Sequence, residues 1–598
     1  LSKINVFYID FYEINYPSQG HTSFVIASAT KLIHIFIQPI QPFMKLKQYS
    51  LTLALAAIAM CAACNQDTPS ASAVDEDGLA AFSADSMRLH VSQLADDSLQ
   101  GRKPFTEGET KTVAYLQRQF KQAGLEPGNG DSYLQEVPMV NIQTIADPLM
   151  TVASPKGSLT LKGFDDYVIW TDKITDKVSL NNDEVVFAGY GVVAPEHNWN
   201  DYAGLDVKGK VVLVMVNDPG FAAGDTILFK GKTMTYYGRW TYKFEEAARQ
   251  GAKGCLIVHT TEGASYPFSV VQNNWNASKL RLDDRAKPNR YTDVNGWVSL
   301  PAAKRLVAAA GMDSTSFFAM ADKPGFKPLP LNLKLSTNIK VATTFNKSLN
   351  VIGKITGTKR PDEVIIYTAH WDHLGIGKAD ETADSIYNGA LDNASGTAGL
   401  IELARAFKSL KTQPERTIIL LAVTAEEQGL WGSAYYAQNP IYPAAKTVAN
   451  INIDGLNPAE STRDIITVGK GQSELEDYLK AEAEKAGRVL AYETHPEAGY
   501  YYRSDHFNFA KVGIPALYTS RGVNVIGKEE GYGEKQGALY REKNYHRPSD
   551  EYDAATWTFA GGLEDLKLLF LVGKRLAFET KMPVWKEGSE FKAIREKK

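Results

Sequence analysis

The chain has 598 residues, which exceeds one ordinary domain and points to several. A composition of 44% hydrophobic and 22% charged residues fits a globular protein. The net charge of −4, with no long basic stripe, gives no polyanion-binding signal, so nucleic acid is not an expected partner.

The first 43 residues read as translated upstream sequence and are set aside from fold reasoning. Met44-Lys45-Leu46-Lys47 supplies a positive start, and Leu51 to Met60 a short apolar core, too short for an ordinary membrane span. Cys61-Ala62-Ala63-Cys64-Asn65 then resembles a bacterial lipoprotein signal over 44–64, with cleavage before Cys64 and lipid on its sulfur. Cys61 stands where such signals usually carry Leu, and cleavage by an ordinary signal peptidase nearby is the alternative. Asn65 after the cysteine favours an outer-membrane anchor, with the rest of the chain periplasmic or at the cell surface. The alternative is a soluble secreted or periplasmic protein. Residues 65–79 read as a polar tether. Outside the signal only Cys255 remains, so no intramolecular disulfide and no cysteine zinc cage is available.

Ser83 is a helix cap before Met87, Leu89, Val91 and Leu94. A second helix runs from about Glu109 to Ala123 and stops at Gly124. From 142 to 340 the chain turns β-rich, with strands expected at Glu184–Phe187, Val211–Val216 and Cys255–His259. A helix at Trp240–Arg249 carries Trp240, Phe244, Ala247 and Ala248 on one face. Gly189-Tyr190-Gly191-Val192-Val193-Ala194 mimics a dinucleotide fingerprint. Pro195 follows where a helix should open, so that reading is rejected. After 345, strands at Val364–Tyr367, Thr417–Val423, Val448–Ile453 and Ala516–Thr519 alternate with helices such as Thr397–Leu410. This is the pattern of a mixed, mostly parallel sheet sandwiched by helices, with ligands at the carboxyl ends of its strands.

Those ends repay inspection. Val364 to Ala369 runs into His370-Trp371-Asp372; Asp392 sits in Asp392-Asn393-Ala394-Ser395-Gly396 before a helix. Ile418 to Val423 runs toward Glu426-Glu427, Val448 to Ile453 into Asp454, and His546 lies in a polar loop. Each alone has an ordinary reading: a polar histidine, a helix-start residue, a solvated turn. Together, successive apolar strands end on two histidines and three carboxylates, a set that suits paired divalent ions, most naturally zinc. One carboxylate can bridge two ions about 3.5–4 Å apart.

With HWD, DNASG, EEQGLWGS, NID and YHRPSD in this order, the chain resembles the di-zinc exopeptidases, a family that includes secreted bacterial leucyl aminopeptidases, glutamate carboxypeptidase and the inert transferrin receptor. Leu94 to Arg102, and Ser504-Asp505-His506 with Gly513-Ile514-Pro515-Ala516, resemble further family segments. The resemblance implies an α/β zinc-exopeptidase fold of phosphorylase/hydrolase-like type over 80–141 and 341–580. It implies a β-rich protease-associated insert at 142–340, which would lid the cleft or restrict substrate size, and leaves 581–598 as a polar tail. It implies that His370, Asp392 and Asp454 hold one Zn2+, and Asp392, Glu427 and His546 the other, with Co2+ or Mn2+ as possible substitutes. Asp372 would fix the tautomer of His370, Glu426 would be the general base, and Tyr501 would hydrogen-bond the oxyanion. His373 and His506 would be supporting or structural residues.

The expected function is a lipid-anchored or secreted aminopeptidase acting on peptides. A glutaminyl cyclase-like acyltransferase, which would hold one zinc per chain, and a carboxypeptidase are the alternatives. A receptor-like binding protein is disfavoured because every ligand is present together with Glu426. Side-chain preference and oligomeric state are not encoded in any readable motif.

Overall fold

The computed structural model describes residues 76–224, 227–287 and 290–597. The signal, Cys64 and residues 65–75 lie outside the described residues. Among the described residues no helix is long and apolar enough to cross a membrane.

The apolar runs after residue 345 form one mixed sheet. Across it lie Leu134–Ala146, Leu329–Ile355, Arg416–Val423, Arg360–His370, Thr447–Asn452, Ala516–Ser520, Asp464–Thr467 and Val489–Tyr492. The four strands from Arg416–Val423 to Ala516–Ser520 are parallel, with His370 beside Val423, Thr368 beside Asn452 and Asn452 beside Tyr518. Their carboxyl ends therefore finish at one edge.

Continuous apolar sequence is needed because successive side chains point to opposite faces and both faces are covered. Ile365, Tyr367, Ala369, Ile418, Leu420 and Ala422 face a core shared with helices Ala84–Leu94, Glu107–Gln122, Ser395–Lys408 and Ala560–Phe578. Val364, Ile366, Ile419, Leu421 and Val423 face Tyr436 and Phe509, from helices Trp431–Gln438 and His506–Lys511.

The β-rich segment builds a second parallel set. Lys177–Phe187, Val211–Met215, Gly254–His259 and Val294–Ser299 pair in parallel, and Tyr167–Trp170 runs antiparallel beside the last. Helix Trp240–Arg249 covers Val212, Val214, Cys255 and Ile257, while helix Leu300–Ala309 covers Leu213, Leu256 and Val258. The sequence boundaries at 142 and 341 fall inside strands rather than linkers. Leu329–Ile355 pairs with Leu134–Ala146 from Ile339↔Ala146 to Val351↔Leu134, and its earlier half pairs with Lys177–Phe187.

Four local expectations change. Leu89 is 57% exposed, because Met87, Val91 and Leu94 share one helical face and Leu89 lies about 200° round from Met87. The buried face of Trp240–Arg249 is turned to include Tyr242, Lys243 and Glu246, leaving Trp240 and Ala248 half-buried. Helix Ser395–Lys408 starts two residues before Thr397. The supposed polar tail buries Trp585 and Phe591 against Tyr501 and Tyr502. The Gly189–Ala194 turn has no phosphate cradle: Asp201 accepts the N–H groups of Tyr190 and Val192, both at 3.0 Å.

Candidate metal centre

The three strand ends and two loops bring the expected residues together. His370 Nε2 lies 3.2 Å from Asp392 Oδ1 and 3.3 Å from Asp454 Oδ1. His546 Nε2 lies 3.3 Å from Asp392 Oδ2 and 3.1 Å from Glu427 Oε2. The two oxygens of Asp392 thus face different histidines, the placement a bridging carboxylate requires. Glu426 Oε2 approaches His370 Nε2 at 4.0 Å.

These contacts are poor hydrogen bonds but good shared-ion spacings. Two donors at about 2.0–2.1 Å from one tetrahedral ion stand roughly 3.3–3.5 Å apart. His370 Nδ1 must donate to the Asp372 carbonyl, 3.1 Å away, because a carbonyl only accepts. In the neutral ring, Nε2 then turns a lone pair toward two carboxylates, an arrangement that needs a cation between them.

The charge balance agrees. Four carboxylates, of Asp392, Glu426, Glu427 and Asp454, face three imidazoles, of His370, His373 and His546, so protonating all three rings still leaves negative charge buried. Burial opposes protonation of His546, yet Glu427 and Asp392 hold its pKa up at about 10. Burial likewise opposes the charged form of His370, and Glu426 and Asp454 override it. Burial lifts Asp372 to about 8, with His370 opposing and Glu427 adding. Burial also holds Glu426 well above the usual carboxylate range, against His370 and with Asp454 and Glu427. The Arg102 guanidinium lies behind the site, but its N–H groups go to the carbonyls of Trp371, Leu94, Asn388 and Gly389. This donor set fits divalent cations, and the groupings His370-Asp392-Glu427 and His370-Glu426-Asp454 each converge tightly enough to hold one.

Supporting residues fix the geometry. Ser504 Oγ donates to Asp454 Oδ2 at 2.6 Å and accepts from Asn452 Nδ2 at 2.8 Å. His373 Nδ1 donates to Glu427 Oε1 at 2.6 Å, so it supports the site as expected of it. Asp372 meets His370 through its backbone. Its carbonyl, rather than its carboxylate, orients His370; the carboxylate lies 3.9 Å from Nδ1 and accepts the Glu426 N–H at 3.0 Å. The sequence reading missed Asp550, whose carboxylate accepts the N–H groups of Leu391 and Asp392, each at 3.1 Å. Its signal was the acid four residues after His546. It also missed Asn393, which accepts from Gly396 at 2.9 Å and Gly455 at 3.0 Å and so ties two ligand loops together.

Tyr501 is not brought into this group. It is 4% exposed and packs against Tyr502, His506 and Phe591; its hydroxyl meets no hydrogen-bond partner among the described residues. Beyond burial, the charge raising its pKa is that of Glu590, whereas Tyr518 feels Asp454, Glu426 and Asp392. His506 is sandwiched by Tyr501 and Tyr518 and is structural.

Residues 350–571 match the profile of peptidase family M28. A probable zinc metalloprotease of Pyrenophora tritici-repentis (strain Pt-1C-BFP) is 31% identical over 227 residues, covering 32% of this chain and 46% of that one. Carboxypeptidase Q of Xenopus laevis is 23% identical over 367 residues, covering 60% and 61%. The chain spans about half the length of the first curated relatives it matches. A solved aminopeptidase from Aneurinibacillus sp. strain AM-1 is 20% identical with a TM-score of 0.42, over 86% of this chain and 97% of that one.

Proposed function

Because residues 350–571 belong to peptidase family M28, we propose that this chain is a di-zinc aminopeptidase that removes N-terminal residues from peptides. The observation that carries the reading is Asp392, whose two oxygens each face a different histidine while Asp454 and Glu427 complete the two groups. When bound, zinc supplies a Lewis acid for the scissile carbonyl and an acidified water. Asp392 would be the shared ligand, and His370 with Asp454, and His546 with Glu427, would complete the two sides. Glu426 is the general base: its carboxylate is buried beside His370, and its backbone is fixed by Asp372. It accepts the proton of the attacking water at a carboxylate oxygen and returns it to the leaving amine nitrogen. His373 keeps Glu427 turned toward His546.

The proposal extends to location, where its support is the sequence 44–64 alone: lipid on Cys64 anchors the exported enzyme to a membrane. Mass spectrometry of the mature N-terminus decides that part, and an unmodified terminus beyond Cys64 removes the anchor while leaving the catalytic reading intact. The catalytic reading is tested by metal analysis alongside hydrolysis of matched free and N-acetylated peptides. Release of the N-terminal residue from free peptides, blocked by acetylation, with two zinc ions per chain, is the expected result. Cleavage of acetylated peptides from the other end overturns the aminopeptidase assignment.

A further inference from the structure

His259 ends strand Gly254–His259 in register with Ser299, the last residue of Val294–Ser299. Both stand at the carboxyl edge of the second parallel set, the kind of edge that holds the candidate metal centre in the first. His259 is 3% exposed, and its Nε2 meets no hydrogen-bond partner among the described residues. Its ring is held among Tyr266, Phe268 and Trp297, at centroid distances of 5.8, 5.4 and 5.7 Å. Burial lowers its pKa to about 4, so the ring is neutral at ordinary pH. A neutral imidazole can carry its proton on Nε2, and an enclosed donor without an acceptor is unfavourable unless a ligand completes the site.

A cavity of about 430 Å³ opens beside His259, within the range of about 300–1,000 Å³ usual for small-ligand sites. Its lining combines three chemistries. The first is a helix start: Ser299 caps helix Leu300–Ala309 and accepts Ala302 N–H at 3.4 Å. Pro301 has no N–H, so Leu300 N–H is what this positive end offers a ligand, next to His259. The second is the carboxylate of Glu262, which is exposed and forms no ion pair among the described residues. The third is the apolar surface of Phe268, Leu300 and Pro301. Donors, an acid and an apolar wall around one small space match the three parts of an apolar amino acid: carboxylate, ammonium and side chain.

We propose that this cavity binds a free apolar α-amino acid. Its carboxylate lies at His259 and the start of helix Leu300–Ala309, its ammonium at Glu262, and its side chain against Phe268 and Leu300. The lining includes none of the residues of the candidate metal centre, so the site is separate from the hydrolytic one. Its occupancy does not depend on the peptidase reading, because binding is measured without turnover.

Equilibrium dialysis of labelled leucine against the full chain tests it. The wild type should bind leucine saturably. Leucinamide, which lacks the carboxylate, and 4-methylpentanoate, which lacks the ammonium, should each compete about tenfold more weakly than leucine, or worse. His259→Phe keeps an aromatic ring in the packing and removes Nε2. Glu262→Gln alters an exposed side chain and leaves the core intact, so it decides the matter if His259→Phe fails to fold. Each variant should weaken one equivalent of bound leucine per chain by about tenfold or more. In Glu262→Gln, 4-methylpentanoate should compete as it does in the wild type, because it makes no use of Glu262. Leucine bound with wild-type affinity and stoichiometry by either folded variant would place it elsewhere, the metal centre included. Competition by both analogues as strong as by leucine itself would reduce the cavity to an apolar one. Either result, or no saturable binding in the wild type, overturns the proposal.

Discussion

Strands Arg360–His370, Arg416–Val423 and Thr447–Asn452 in one half, and Val211–Met215, Gly254–His259 and Val294–Ser299 in the other, are both parallel sets buried on both faces. Both end in polar residues at their carboxyl edges. In the first set these residues point at one another and remain short of positive charge. In the second, the buried Asp201, Asp218 and Lys243 each find separate protein partners, while His259 Nε2, at the end of Gly254–His259, meets none among the described residues. Asp201 takes two backbone N–H groups and the Trp199 indole N–H at 2.7 Å; Asp218 takes the Thr235 hydroxyl at 2.6 Å and Gly220 N–H at 3.1 Å; Lys243 is held by two carbonyls. Position at a strand end is shared by both halves. What separates them is that in the first half several carboxylates converge on the same histidines, whereas in the second each carboxylate is met by its own donors.

Asp392→Ala breaks the contrast hardest. It removes the shared carboxylate, and metal analysis should show loss of both ions with peptide hydrolysis at the detection limit; two retained ions would refute bridging. Glu426→Gln comes next. It should keep the metal and lower kcat by about 10²–10⁴-fold, because an amide cannot accept the water's proton. Near-normal kcat in the fully metallated variant would remove Glu426 from the base role.

In the second half the same class of change should act on stability. Asp201→Ala leaves three donors buried without an acceptor and should lower unfolding free energy by about 3–5 kcal/mol in a denaturant titration. Metal content and turnover per folded molecule should stay as in the wild type; parallel loss of metal would show that the two halves are not independent. The smallest effect concerns His259, whose pKa burial lowers to about 4. The unfolded chain takes up this proton near its ordinary value of about 6.5, and the folded chain resists until about 4. The His259 contribution is therefore present above pH 6.5 and lost as pH falls toward 4, by at most about 3 kcal/mol. Replacing His259 with a neutral residue should flatten that part of the stability–pH curve, and an unchanged slope would place the acid sensitivity elsewhere.

The ligand strands were legible because both their faces are buried, which forces unbroken apolar runs and makes the polar residue that ends each run conspicuous. His370, Glu427 and Asp454 could be found this way, whereas Asp392 and His546 lie in loops and stood out only through the motifs DNASG and YHRPSD. Asp550 and Asn393 could not, because each acts on backbone N–H groups of loops whose path no periodicity encodes. Tyr501 is a different case, with a buried hydroxyl that meets no partner among the described residues. Three consecutive tyrosines gave a plausible hydroxyl near the site, and only packing reveals that the middle one is held in an aromatic core with Phe591. The limits of the β-rich segment, at 142 and 341, fall inside strands for a related reason. A change in composition marks where the core changes, not where the chain stops being a strand.

The long ribbon formed by Leu134–Ala146 and Leu329–Ile355 has an evolutionary and engineering corollary. A module joined by loops can be exchanged freely, whereas one that grows out of shared strands is bound by parity. Lengthening either strand by one residue, between Val140 and Ile145 or in the facing stretch Lys340–Phe345, would turn every later side chain of that strand to the opposite face, while two residues would restore the facing and shift it by one pleat. Relatives that trade this segment should therefore differ across the ribbon by even numbers of residues, or carry a bulge where they do not.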